Sequence, residues 1–198
     1  MSQPDQLTKN QRKKLKRQQR EQQARQMKRK ALAKKWGIRL AITLSLAAAG
    51  AWFVQSQVQQ EQNRPGEDVV VMGRQHVQVG ASHGEYNTNP PTSGWHYTQP
   101  ADGGFYDQPI PDEQAIHNLE HGYIWITYKQ QSDEVIDQLK KLAKRYRGRV
   151  IVSPREENDS PIAVASWGRL LKLDQFDQEQ IEQYLKLNYN RSPERLAS

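Results

Sequence analysis

All five histidines of the chain lie between His76 and His121, and the chain contains no cysteine. Imidazole is the commonest protein ligand for borderline transition metals, so coordination chemistry is expected in this window. His117 and His121 stand four residues apart in His117-Asn118-Leu119-Glu120-His121, which puts two rings one turn apart on the same side of a helix. At about 100° per residue, Ile116, Leu119 and Tyr123 form one stripe, and the two histidines point away from it. A histidine that merely completes a core would sit on the stripe. Both also lie in the last turn, where free carbonyls favour a cation.

Support for the pair comes from His96, set in Pro90-Pro91-Thr92-Ser93-Gly94-Trp95-His96-Tyr97. The proline pair stiffens the approach and Gly94 permits a sharp turn, so His96 is expected to be held in place. His76 follows an expected strand and has the thioether of Met72 four residues before it. His83, between Ser82 and Gly84, is the least constrained and is expected at the surface.

These side chains need a scaffold, and the pattern from Val69 onward supplies one. Val69–Met72 and His76–Val79 read as short strands, and residues 80–111 as a long irregular segment packed by Tyr86, Trp95, Tyr97, Phe105 and Tyr106. Asp112 can cap a short helix that runs to about His121 and is stopped by Gly122. Tyr123–Tyr128 is a β-rich run, and Asp133–Arg147 an amphipathic helix with Val135, Ile136, Leu139, Leu142 and Ala143 inward. Arg149–Ser153 and Ile162–Leu173 read as strands with a turn around Asn158-Asp159, and a last helix spans about Asp177 to Leu187. The order β-α-β-β-α predicts one α+β domain of about 130 residues with a mixed sheet and two to three helices, a usual size for a single core. It also matches the order of the second half of a thioredoxin-like fold. Trp95, Trp125 and Trp167 are expected in the core.

Charge divides the chain sharply. Residues 1–55 hold 14 Lys and Arg against Asp5 and Glu21, while the rest holds 15 basic and 20 acidic side chains. The net charge of +7 therefore belongs to a tail, and the folded part is mildly acidic. A domain that binds nucleic acid through its fold would show the opposite distribution, so no nucleic acid is expected as a partner. Between the two parts lies an apolar run from Leu40 to Val54, flanked by Trp36 and Arg39. Counted from Trp36 it approaches the roughly 20 residues that span a bilayer core. Ala47-Ala48-Ala49 would suit a signal peptidase, but a basic region this long before the apolar run is unusual for a cleaved signal. The expected organisation is a basic cytoplasmic tail over 1–35, a transmembrane anchor over 36–55, a linker over 56–66 and an extracytoplasmic domain over 67–198. The basic side stays in the cytoplasm, giving a single-pass protein of the inner (plasma) membrane. Membrane lipid is the expected partner of residues 36–55 and of the tail, where each basic residue near an anionic surface adds about 1 kcal/mol.

Four segments carry a resemblance: GRQHVQVG, YNTNPPTSGWHY, GGFYDQPIPDEQAIHNLEHGYIWITY and ASWGRLLKLDQFD. Over roughly residues 70–195 the chain resembles the bacterial family catalogued as domain of unknown function 3105. The resemblance implies a short membrane anchor before one extracytoplasmic domain, and a motif carrying the histidines that match His76, His96, His117 and His121. His83 falls outside that motif. No activity is implied.

The leading expectation is a transition-metal site made by His76, His96, His117 and His121, with Met72 and Glu120 as further donors. Nitrogen, oxygen and thioether donors without thiolate suit copper or zinc. A second reading takes His117-x-x-Glu120-His121 as an inverted zinc-peptidase pattern with Glu120 as general base. Against it, Gly122 stops the helix at once, a further glutamate ligand is needed downstream, and four histidines leave no open position for catalysis. In a third reading the histidines only hydrogen-bond the long loop in place.

Overall fold

A computed structural model describes residues 9–194 of the chain. Its first unit is a single helix, α1 (Lys9–Gln62), of 54 residues. This helix contains a stretch long and apolar enough to cross a membrane, with none of it buried. It runs through seven residues expected as linker, because Gln and Glu are good helix formers and nothing breaks the helix before Pro65-Gly66. Residues 1–8 of the basic tail lie outside the described residues.

The second unit begins at Asn63. Its strands are β1 (Glu67–Asp68), β2 (His76–Val77), β3 (His96–Tyr97), β4 (Gly104–Phe105), β5 (Ile124–Tyr128), β6 (Val150–Pro154), β7 (Ile162–Ser166) and β8 (Arg169–Leu173). Three helices complete it: α2 (Asp112–Glu120), α3 (Asp133–Arg145) and α4 (Gln178–Asn188). Six strands form one mixed sheet in the order β1-β8-β7-β5-β6-β4, and β2 and β3 form a separate parallel pair. β5 is central, parallel to β6 through the α3 crossover and antiparallel to β7. The fold is α+β, and from Tyr123 onward the order is β-α-β-β-β-α, one strand more than expected, because Ile162–Leu173 is a hairpin of two strands.

The period-two alternation of β5 builds a core on each face. Ile124, Ile126 and Tyr128 face α3 and α4 together with Val150, Val152, Leu139 and Ile181. Trp125 faces the other way, with Ile151, Ala163, Ala165, Ala115 and Leu119, under α2 and the long loop. Every residue of β5 is buried, which explains why it reads as a continuous apolar run rather than an alternating one.

Several expectations need correction. Val69–Met72 is not a strand. Val69 N–H donates to Gly168 O, Met72 N–H to the Ser93 hydroxyl, and Val70 O accepts from the Asn87 amide. Loop side chains and a turn thus take the backbone groups a ladder would use, and Val70 and Val71 stay exposed. The next strand is only His76–Val77, not His76–Val79. The hairpin turn of the Ile162–Leu173 segment falls at Trp167-Gly168, with Gly168 at φ +66. Asp112 does not cap α2: Pro111 occupies that position, and the Asp112 carboxylate is taken by Arg155. Trp125 is fully buried, but Trp95 and Trp167 are only partly so.

Candidate metal centre

Two of the histidines are brought together by the two-stranded β2–β3 sheet, and a third joins them from α2. In the β2–β3 pair His76 stands in register with His96, so both rings project from the same face of the ladder. Their centroids are 4.6 Å apart. α2 supplies His117, whose ring lies 5.4 Å from each of the other two. One ligand nitrogen from each of the three lies within 4.8 Å of the others. His121, one turn on from His117, places its Nε2 2.9 Å from His117 Nε2.

The backbone fixes which nitrogen of two rings faces the cluster. His96 Nδ1 lies 2.7 Å from Gly94 O, and His117 Nδ1 lies 2.5 Å from Tyr97 O. A carbonyl can only accept, so each Nδ1 carries the proton and donates it. In the neutral ring Nε2 then holds the lone pair that a metal takes, the arrangement typical of metal-ligating histidines. Positive φ at Gly94 (+117) folds the loop back so that the Gly94 carbonyl reaches the His96 ring. Asn118, buried beside His117, bonds both N–H and C=O of Ala101 and fastens the loop to α2.

Glu120 is buried, and its Oε2 lies 3.0 Å from His96 Nε2. Since His96 Nδ1–H is already donating, one proton or one cation must lie between Nε2 and this oxygen. Glu120 Oε1 faces Arg74 Nε at 3.8 Å. Oε2 is therefore engaged and Oε1 stands in a longer ion-pair contact, so as a general base the carboxylate would first have to leave His96. Burial pushes the His117 imidazole below its ordinary 6.5, and neighbouring His121, His96 and His76 act the same way, against the Tyr97 bond. A neutral ring is the form that binds a metal. His76 is exposed and borders a groove of about 500 Å³ with Val77, Val79, Tyr97, Pro111 and Gln114, which gives the cluster an open side.

Met72 and His83 are each held by other partners. Met72 Sδ accepts a hydrogen bond from Asn87 N–H at 3.1 Å. His83 is not the loose surface residue expected: its ring stacks on Trp95 at 5.4 Å, and its Nε2 lies 3.0 Å from Glu113. That Glu113 bond raises its pKa first of all, with the Gly84 carbonyl next.

Two residues at the site escaped the sequence reading. Arg74 also approaches Glu194 (3.9 Å), and Glu194 lies 3.8 Å from His121 Nε2. Arg74 sits two residues before His76, which was its only available signal. Glu194 is 73 positions beyond His121, and no local pattern points to it.

No curated protein and no solved structure matches the chain. The matching family segment begins at His76 and takes in every histidine of the cluster, together with Glu120 and Glu194, but not Arg74. The chain belongs to the family described as protein of unknown function (DUF3105), whose sequence model matches residues 76–198.

Proposed function

We propose that the domain binds one transition-metal ion through His76, His96 and His117, with His121 and Glu120 at the edge of the site, and keeps it at a membrane surface. The observation that carries this reading is the pair of backbone carbonyls at Gly94 and Tyr97, which orient His96 and His117 with Nε2 toward the cluster. Histidines that served only to hold the loop would have no reason to gather a third and fourth ring around those nitrogens. Two tetrahedral ligands at about 2.1 Å from one ion stand about 3.4 Å apart. The 4.8 Å limit of the cluster therefore asks the rings to close by up to roughly 1.4 Å. Nitrogen and carboxylate donors without a thiolate suit zinc or copper(II). The exposed side at His76 suits uptake and release, so buffering or delivery of the ion fits better than a closed structural site. α1 is the tether, with the basic tail in the cytoplasm and the domain outside.

The test is elemental analysis of the full chain, purified in detergent without a histidine tag, beside His96→Ala/His117→Ala. About one equivalent of zinc or copper in the wild type, lost in the double variant, is the expected result. A wild-type protein that carries no metal and shows no melting shift with added zinc or copper would overturn the reading.

A further inference from the structure

The last described segment of the chain is tied across the end of α2 by its backbone. Asn190 N–H donates to Gly122 O at 2.9 Å, and Glu194 N–H donates to Glu120 O at 3.1 Å. Gly122 makes the crossing possible. It holds φ +87, and a Cβ there would stand 2.7 Å from Asn190 Cα. The segment is thus seated on the two residues that flank His121, and it delivers the Glu194 side chain to the rim of the cluster. Glu194 Oε2 lies 3.8 Å from His121 Nε2, while its other oxygen lies 3.9 Å from Arg74 Nη1.

We propose that Glu194 is a carboxylate ligand of the same ion, closing the site from the His121 side, and that Arg74 holds it in place while the ion is absent. This rests on the metal reading above. A separation of 3.8 Å is only a few tenths of an ångström above the roughly 3.4 Å between two tetrahedral ligands of one ion, so side-chain rotation alone lets carboxylate and imidazole share the ion. Arg74 is half-exposed and faces two carboxylates, Glu194 and the buried Glu120, at distances longer than a direct hydrogen bond. That contact is loose enough to give up one carboxylate to a divalent ion. Metal uptake then exchanges an Arg–Glu contact for a metal–Glu contact, with no covalent step. A downstream glutamate beside His-x-x-Glu-His does not make this a peptidase site, because the buried Glu120 is engaged by His96.

Cobalt(II) is the probe, because its visible absorption reports the donor set around the ion. The full chain in detergent is titrated with cobalt(II), and zinc displaces it, in wild type, Glu194→Gln and Gly122→Ala. Glu194→Gln is expected to fold normally, to bind about tenfold to a hundredfold more weakly, and to give a shifted and altered cobalt band. Gly122→Ala, which disturbs the crossing segment and the end of α2 while keeping every ligand side chain, is expected to change the band as well. An unchanged band and affinity in Glu194→Gln would sink this inference and leave the histidine site standing. Failure of the wild type to bind cobalt or zinc would take both readings down together.

Discussion

His96 and Glu120, 24 residues apart in the chain, meet as a fully buried pair with Nε2 3.0 Å from Oε2. Neither side chain reaches water, so each is the other's only route to a satisfied polar group on that side. Removing one partner should leave an uncompensated group in the interior. Glu120→Ala is expected to cost about 3–5 kcal/mol in the metal-free protein. Glu120→Gln, whose amide can donate to a neutral Nε2, should cost only about 1 kcal/mol. Urea unfolding of the two variants checks this, and equal costs would show that the pair is not coupled as described.

A second, partly buried network sets the direction of α2. Arg155 reaches both carboxylate oxygens of Asp112, each at 2.8 Å, and also bonds Asn158 and Asn89. It pins the first residue of the helix to the end of β6 and to the loop before Pro90. Arg155→Met should destabilise the fold by about 3–5 kcal/mol, since Asp112 loses its partner. Because the same helix carries His117 and His121, zinc affinity should fall as well. In a double-mutant cycle with Asp112→Asn the costs should fall short of additive by about 1 kcal/mol or more. Strict additivity would mean that the network does not act as a unit.

The sequence and the structure agree where a single element decides the outcome. α3 and α4 follow from their apolar period, β5 from its β-rich run, and the end of α2 from Gly122. His117 and His121 are legible for the same reason, as two rings on one turn. Agreement fails where distant segments decide. Val69–Met72 has the composition of a strand, yet Ser93, Asn87 and Gly168 take its polar groups. The β2–β3 ladder is only two residues long, so the register that aligns His76 with His96 leaves no periodic trace. His83 gains its order from Trp95 and Glu113, respectively 12 and 30 positions further on. Glu194 reaches the site only because the chain returns across Gly122 after a hairpin and a helix.

His117 and His83 give opposite pH dependence. Burial lowers the His117 pKa below 6.5, so its contribution to stability is present above about pH 6.5 and is lost as pH falls through the folded value. The Glu113 bond raises the His83 pKa above 6.5, so its contribution is complete below about pH 6.5 and is lost as pH rises through the folded value. Melting of metal-free protein between about pH 5 and 8 should therefore separate them. The margin of wild type over His83→Gln should be largest at low pH and shrink as pH rises. The margin over His117→Gln should grow with pH. Parallel profiles for the two variants would contradict both assignments.

The proposed topology places the metal site and the basic tail on opposite sides of one membrane. All 14 basic side chains of residues 1–55 precede or flank the apolar run, and the domain that follows is acidic overall. Positive charge is retained on the cytoplasmic side, so α1 should orient with Lys9 inside. A reporter active only outside the cytoplasm is expected to work when fused after Ser198, and to be silent when fused just after Arg20. Replacing Lys34, Lys35 and Arg39 with glutamine should weaken this bias only partly, because eleven basic residues remain upstream. The fusion after Ser198 would then lose some activity without reversing. A silent reporter after Ser198 in the wild-type chain would place the histidine cluster in the cytoplasm, where an exchange site would draw on a different supply of metal.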